Sequence, residues 1–452
     1  MVRPVKMRAL AGNSSIARAR GTRARSAATS LAVLAVLAPA ATLAGCGSTS
    51  KSTPTAGVAN VVPRSSSEPK SCSAAVLDTR ARVLEHVYHE GVQSERVDSA
   101  VSVIEHSQAL REAVASGNRA AALQAAQALL ATGHLTDVNV TRGGLPFIEL
   151  GGPAVTPVRG TLKGAGGAPI ASYVTSVWSD KGFLAEARGI SQGAVVLRTP
   201  GGTSVGGSRS LGAGALPPEG TLSQRGVTYS YTSFPAEAYP SGALRVYLLI
   251  PTSATVALCG HTAQDTTVNT LRRVAELIYT GESGQSARKQ VRRVQHNTAL
   301  LEAVAHREPA ATEAAIKSLL NQHIVRLRVS AGGQLLSDVG GPYVLAPLNA
   351  PLSLGGRTIG SFVLSIQDDE GYLRLTRRLV GLDVLMYMNI GSGPPQLVKD
   401  SLGPMPGPAL ASVPASGAFH YEGRSFRVFT VNAKAFPSGP LTIRVLVPIP
   451  YL

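Results

Sequence analysis

The fold of this chain is decided by the segment Gly356-Arg-Thr-Ile-Gly-Ser-Phe-Val-Leu-Ser-Ile-Gln-Asp-Asp-Glu-Gly-Tyr372. Large apolar side chains stand at every second position, at Phe362, Leu364 and Ile366, and this period of two predicts a strand with one face against a core. About 190 residues earlier the chain has a similar segment, Ile170-Ala-Ser-Tyr-Val-Thr-Ser-Val-Trp-Ser-Asp-Lys-Gly-Phe183. The chain therefore contains an internal repeat.

The repeat extends over nearly the whole chain after residue 71. Further matching pairs keep the same order along the sequence: Ala109–Val114 with Ala299–Val304, Gly151–Pro153 with Gly340–Pro342, and Tyr239–Gly242 with Phe436–Gly439. We therefore predict two homologous domains, at 72–260 and 261–452, which we call copy one and copy two.

Both copies show the same predicted order of elements. Apolar residues at helical spacing come first, as at Val83, Leu84 and Val87, and strand-like segments follow. Helices followed by an antiparallel sheet indicate an α+β domain. The predicted strands are 136–140, 170–178, 194–198, 228–234 and 244–250 in copy one, and 324–329, 359–366, 383–388, 425–431 and 441–447 in copy two.

The segment 356–372, with the Gly-Gly turn that precedes it, resembles the extracellular Cache sensor family. Members of that family are PAS-like modules, in which a long N-terminal helix packs on an antiparallel sheet whose other face holds a small ligand. The resemblance implies two tandem Cache-like domains, each with N-terminal helices packed on an antiparallel sheet.

The resemblance also implies where a ligand would lie. Because strand residues alternate between faces, Phe362, Leu364 and Ile366 would face the helices and their neighbours would face the ligand. Cache ligands are often carboxylates, so Arg188 and Arg377 are candidate anion clamps. The predicted ligand-binding residues are Ser176, Trp178 and Arg188 in copy one, and Ser361, Ser365, Gln367 and Arg377 in copy two. Trp178-Ser179-Asp180 replaces Gln367-Asp368-Asp369, so the copies need not share a ligand.

The first 45 residues have the features of an export signal. They hold seven basic and no acidic residues, followed by the apolar run 31–38, which is too short to cross a bilayer. Leu43-Ala-Gly-Cys46 resembles the bacterial lipobox. The resemblance implies a signal peptide at 1–45 and a Cys46 thiolate that accepts diacylglycerol.

Residues 46–71 are rich in Ser, Thr, Pro and Gly and lack periodicity, which predicts a flexible tether. No later apolar run is long enough for a second membrane crossing. The expected location is the extracytoplasmic face of the cell membrane, where the protein is held by its lipid.

Cys72 and Cys259 are the two cysteines that remain after Cys46. They lie at the start and at the end of copy one, and an exported location permits their oxidation. We predict a disulfide between them. The alternative is a pair of buried free thiols, which alkylation with and without reductant distinguishes by mass.

No catalytic constellation is found in the sequence, and we predict that the protein is not an enzyme. The pattern G-x-S-x-G occurs at 189–193 and 202–206, but a hydrolase needs a strand before the serine and a helix after it. His86 and His89 could bind a metal from one helix face, yet an ordinary exposed face is favoured. We predict no cofactor and no metal.

Two charged segments remain. Asp368-Asp369-Glu370 precedes a glycine, which favours a turn between strands over a cation site or a ligand contact by Asp369 or Asp180. Arg288, Lys289, Arg292 and Arg293 form a basic patch, either a solvated face or a contact with anionic lipid headgroups. The patch lacks interleaved aromatic residues, and nucleic acid is not an expected partner.

These features favour a lipid-anchored, small-molecule-binding sensor lipoprotein without an output domain of its own. Its signal would pass through a membrane partner, such as a sensor kinase or a transporter. The alternative is a cell-envelope scaffold, a protein-interaction lipoprotein whose PAS-like domains bind no ligand. A polar cavity between the sheet and the loops 199–225 and 391–423 would distinguish the two.

Overall fold

The architecture is that of a computed structural model of the chain. It describes residues 60–63, 71–207, 214–281, 284–320, 324–342, 344–388, 395–403, 413–436 and 439–451. The predicted signal peptide, Cys46 and most of the predicted tether lie outside these residues.

Ten helices occur in the described residues, five in each copy. In copy one they are α1 (Cys72–Glu90), α2 (Glu95–Glu105), α3 (Gln108–Ser116), α4 (Arg119–Ala131) and α5 (Asp180–Ser191). In copy two they are α6 (Ala263–Gly281), α7 (Gln285–Gln295), α8 (Thr298–Ala305), α9 (Pro309–Leu320) and α10 (Asp369–Val380). Side-chain oxygens cap the N-termini of several of these helices. Ser94 accepts a hydrogen bond from the N–H of Val97, and Asn118 accepts one from the N–H of Ala121.

The strands also repeat between the copies. Before and within copy one they are β1 (Asn60–Pro63), β2 (Asp137–Arg142), β3 (Leu145–Gly151), β4 (Ala154–Val155), β5 (Val158–Lys163), β6 (Pro169–Ser176), β7 (Trp178–Ser179), β8 (Ala194–Arg198), β9 (Ser204–Gly207), β10 (Glu219–Gln224), β11 (Val227–Tyr239) and β12 (Gly242–Pro251). In copy two they are β13 (Arg326–Ala331), β14 (Gln334–Gly340), β15 (Val344–Leu345), β16 (Leu348–Leu354), β17 (Arg357–Ser365), β18 (Gln367–Asp368), β19 (Asp383–Met388), β20 (Gln396–Asp400), β21 (Gly417–Tyr421), β22 (Arg424–Phe436) and β23 (Gly439–Ile449).

Each copy builds two antiparallel sheets. The peripheral sheets have the order β3-β2-β6-β5 in copy one and β14-β13-β17-β16 in copy two. The central sheets contain β10-β11-β12-β8-β9 and β15-β22-β23-β19-β20. The α+β class and the two repeated units expected from the sequence are confirmed.

One face of each peripheral sheet packs against helices of its own copy. In copy two Phe362 and Leu364 join a core with residues of α8 and α9, and Ile366 packs against its edge. The helix-facing set inferred from the alternation of the strand is therefore the observed one. In copy one the corresponding core lies between the peripheral sheet and α2, α3 and α4.

The two copies meet in a shared hydrophobic core. Helices α1, α5, α6 and α10 form one layer between the two central sheets, with α1 in contact with both α6 and α10. Leu84 of copy one and Leu271 of copy two are fully buried members of this core. The boundary at 260/261 stays a prediction, but the packing between the copies is continuous.

The predicted turn at Asp368-Asp369-Glu370 is wrong, because these residues begin helix α10. Asp368 is its N-cap, and its Oδ1 accepts a hydrogen bond of 2.6 Å from the N–H of Gly371. Ser179 caps α5 in the same way through the N–H of Gly182. A short side-chain acceptor followed by acidic residues is a helix start signal, which the turn interpretation overlooked.

The segment before copy one contains a short strand. Asn60–Pro63, inside the predicted flexible tether, forms a strand that pairs with β10. Within the described part, no helix is long and apolar enough to cross a membrane.

Cys72 and Cys259 form a disulfide, as the sequence predicts. Their Cα atoms are 5.6 Å apart, within the usual range for such a bridge. Cys259 follows two short 3-10 turns after β12, and Cys72 is the first residue of α1. The bridge therefore ties the first helix to the connection between the copies.

Candidate ligand-binding sites

The equivalent serines Ser176 and Ser365 bind the main chain in both copies. The Ser176 hydroxyl donates to the carbonyl of Val155 and accepts from the N–H of Trp178 at 3.0 Å. Ser365 donates to the carbonyl of Leu345. Both side chains are buried, and they connect each peripheral sheet to the short strand that pairs with the central sheet.

Trp178 and Gln367 occupy equivalent positions with different surroundings. The indole of Trp178 is half-buried, and the guanidinium of Arg96 lies 5.3 Å from its ring centroid. Gln367 is buried, and within the described residues its Oε1 has no hydrogen-bond partner. An orphaned buried oxygen is costly, so this position is open to a donor.

The remaining predicted contacts are exposed. Ser361 lies on the outer face of the copy two peripheral sheet, and Arg188 and Arg377 project from α5 and α10. Arg377 donates to the carbonyl of Ser401 at 3.2 Å. None of the seven predicted residues lines either of the two cavities described below. Ligand contact by these residues stays a prediction.

The outer face of the copy one peripheral sheet carries a buried acidic group, Asp137. Its carboxylate accepts from Asn139 Nδ2 at 2.8 Å and from the Thr136 hydroxyl at 3.4 Å. Burial raises the pKa of Asp137 to about 7, against the lowering effect of these hydrogen bonds. Asp137 is 1% exposed, so solvent does little to offset the cost of ionisation.

Copy two has arginines on the equivalent face. Arg326 is the equivalent of Asp137, because each pairs with the last serine of the neighbouring strand, Ser365 or Ser176. The Arg326 guanidinium donates two hydrogen bonds of 2.8 Å to the Asp338 carboxylate. Arg328 contacts the same carboxylate at 2.7 Å, and it lies 4.2 Å from the centroid of Phe436. Hydrogen bonds from Arg326 are the main reason that the pKa of Asp338 is lowered. The two faces therefore differ in charge, and they cannot recognise the same group.

We expect Asp137→Asn to change how stability depends on pH. The folded chain holds the Asp137 proton up to about pH 7, whereas the unfolded chain releases it near pH 4, so the wild type loses stability as the pH rises. Between pH 5 and pH 8 the wild type should lose about 2.5 kcal/mol relative to the variant. Urea unfolding at both values measures this, with the exposed Glu149→Gln as control. Parallel pH profiles of wild type and Asp137→Asn would contradict it.

A cavity of about 340 Å³ lies where the two copies meet. Its walls come from the first turns of α1 and α6 and from the end of β23 with the residues that follow it. Thr79 and Thr267 contact each other across it through hydroxyls 3.3 Å apart, and Arg82 donates to the carbonyl of Tyr451 at 3.0 Å. Asp78 and Arg82 add both signs of charge to a largely apolar lining that includes Val268. Pockets that bind small molecules have this size and this composition.

Sequence reasoning missed this cavity because its walls are distant in the chain. Asp78 and Arg82 have the i, i+4 spacing of many exposed helical pairs, and nothing in that spacing points to a ligand. Only the packing of α1 on α6 places them opposite Thr267.

The other motifs show structural roles. Ser191, in the first G-x-S-x-G pattern, is buried in the last turn of α5 and accepts from the N–H of Gly193 at 3.2 Å. His89 is exposed and 3.9 Å from Glu85, whereas burial lowers the pKa of His86. No group of three metal-ligating side chains occurs among the residues that the structure describes.

The basic patch lies on α7. Arg288, Lys289 and Arg292 are exposed, and Arg293 donates to the carbonyl of Leu319 at 2.6 Å. Three of the four side chains therefore face solvent, and contact with lipid headgroups stays a prediction.

No protein-family model and no curated protein matches this chain. Two solved structures match parts of this chain. One is the ligand-binding domain of a Pseudomonas fluorescens chemoreceptor in complex with L-isoleucine (10% identity, 40% of this chain, 98% of that chain, TM-score 0.26). The other is an extracellular ligand-binding receptor from Desulfohalobium retbaense (13% identity, 50% of this chain, 46% of that chain, TM-score 0.23).

Proposed function

We propose that this protein is an extracytoplasmic lipoprotein, anchored through Cys46, that binds a small molecule. The lipobox-like segment and the Cys72–Cys259 disulfide support an exported location. The resemblance of 356–372 to Cache sensors supports a role in recognition.

The cavity between the copies is the observation on which the proposal depends. Its volume of about 340 Å³ suits a metabolite, and its lining combines apolar walls with Asp78 and Arg82. The proposed site is therefore this cavity.

The position of the cavity suggests how binding would be transmitted. A bound molecule would touch α1 of copy one and both α6 and the β23 end of copy two. It would stabilise one arrangement of the copies relative to others, which is the requirement for a ligand to shift a conformational equilibrium. The output would then pass to a membrane partner, such as a sensor kinase or a transporter.

We expect one chemical class to raise the melting temperature of the protein in a saturable way. The screen would contain amino acids, organic acids, nucleobases and amines, because a ligand of the native state stabilises it by mass action. Thr267→Trp should fill the cavity and abolish the response, whereas Arg272→Trp, on the exposed face of the same helix, should keep it. A flat response from folded wild-type protein would favour the scaffold alternative.

A further inference from the structure

The junction between the copies contains two equivalent grooves. Helices α5 and α10 both have twelve residues, and α1 and α6 both have nineteen, so the positions correspond one to one. One groove lies between α1, α5 and α10, and the other lies between α6, α5 and α10. The two grooves have different residues at the positions that face inwards.

An ion pair between the copies occupies the first groove. The Arg378 Nε of α10 lies 3.6 Å from the Glu90 carboxylate at the end of α1. Both side chains are mostly buried, at 29% and 19% exposed. Burial raises the pKa of Glu186 in α5, and the positive charge of Arg378 acts in the opposite direction and lowers it. A guanidinium therefore fills this groove, next to two carboxylates.

The second groove is open because glycines replace that pair. Gly189 stands at the position of Arg378, and Gly281 stands at the position of Glu90. A Cβ atom placed on either glycine would meet no other part of the described chain within 4 Å. Neither glycine has a positive φ, so the backbone does not require glycine there. The result is a cavity of about 230 Å³.

The lining of this open groove suits a cation on an aliphatic stem. Leu277, Ile278, Leu375 and Leu379 supply apolar walls, and Glu186 is the charged residue of the lining. Glu186 lines the open groove and also interacts electrostatically with Arg378 in the filled one. A half-buried carboxylate beside an apolar channel binds a guanidinium through charge-assisted hydrogen bonds.

We propose that the groove between α5, α6 and α10 is a binding site for an alkylguanidinium cation, with Glu186 as its counter-ion. The filled groove shows which chemical group this geometry accepts, since the equivalent set of helices holds the guanidinium of Arg378 there. The site is separate from the larger cavity at the first turns of α1 and α6, and it goes beyond the function proposed above.

The test titrates the full chain, purified in detergent, with n-propylguanidinium and with n-propylurea. The two compounds have nearly the same shape, but only the first carries a charge. Calorimetry should show saturable binding of the guanidinium and at least tenfold weaker binding of the urea. Equal binding of both, or no binding of the guanidinium at millimolar concentration, would overturn the proposal.

Three variants locate the site. Glu186→Gln keeps the shape of the side chain and should weaken guanidinium binding at least tenfold. Glu112→Gln, on the exposed face of α3, should leave binding unchanged. Gly189→Arg should supply the guanidinium from the chain itself and abolish binding. Unchanged affinity in Glu186→Gln would overturn the proposal even if Gly189→Arg fails to fold. Thr267→Trp should bind the guanidinium with unchanged affinity, because Thr267 lines the larger cavity and not this groove. A wrong proposal for the larger cavity can therefore be distinguished from a wrong proposal for this groove.

Discussion

Loss of the Cys72–Cys259 bridge lowers the free energy of unfolding by about 5 kcal/mol, the largest effect we expect from any side-chain change. The bridge closes a loop with a sequence separation of 187 residues, and loop-closure entropy of the unfolded chain increases with that length. Around it, the Ser73 and Thr255 hydroxyls are 2.7 Å apart and Asn269 donates to the carbonyl of Leu258. The bridge therefore reinforces contacts that already hold α1 beside the start of α6.

Guanidinium unfolding of Cys72→Ser, Cys259→Ser and the double variant measures this effect. Each single variant should lose as much stability as the double, because one missing sulfur already breaks the bridge. Ser73→Ala is the matched control, since it removes a neighbouring hydrogen bond at a cost of only about 1 kcal/mol. Unchanged stability in all three cysteine variants would contradict the bridge. Equal masses of the wild-type protein after alkylation with and without reductant would contradict it independently.

Leu84→Ala should destabilise both copies, although Leu84 belongs to copy one. Its side chain is fully buried in the core that α1, α5, α6 and α10 share with both central sheets. Truncation of a buried leucine costs about 3 kcal/mol through lost burial and the cavity left behind. Because α1 packs on α6 and α10, the cavity opens against elements of copy two.

Amide hydrogen exchange measures how far this damage extends. In Leu84→Ala we expect faster exchange in α6 and α10 as well as in α1. The control is Ile104→Ala, an equally buried residue in the core between α2, α3, α4 and the copy one peripheral sheet. Its effect should stay in copy one. Unchanged protection of α6 and α10 in Leu84→Ala would show that the copies do not unfold together.

Much of the sheet structure could be predicted from local patterns. The strands at 194–198 and 383–388 were predicted with the observed bounds, because continuous apolar runs mark them clearly. Long strands such as Val227–Tyr239 extend beyond the predicted 228–234, since the proline, alanines and glutamate at 235–238 are residues that strands disfavour. The internal repeat predicts two similar units, because the two copies have apolar residues at equivalent positions and must bury equivalent faces.

The sequence contains a helical signal for α5 and α10 that the predicted elements do not include. Phe183, Leu184, Ala187 and Ile190 recur at helical spacing and are buried, yet Gly182 and Gly189 weaken the helical signal. Attention to Asp368 as an N-cap would have identified α10 and removed the turn interpretation.

The candidate sites were beyond sequence reasoning for a physical reason. The alternation of apolar residues along a strand shows which side chains share a face. It does not show that the hydroxyls of Ser176 and Ser365 donate to main-chain carbonyls. The larger cavity depends on the meeting of α1 with α6, whose facing residues Thr79 and Thr267 are 188 positions apart. Such contacts arise only from the packing of the copies on each other.

We expect ligand recognition at the junction of the copies and not on the outer faces of the peripheral sheets. Amide hydrogen exchange, with and without the compound that gives the largest thermal shift, tests it most directly. Binding in the larger cavity predicts slower exchange in the first turns of α1 and α6 and at 447–451. Slower exchange confined to 137–142 and 158–176, or to 326–331 and 348–365, would contradict it and would place the ligand on a peripheral sheet.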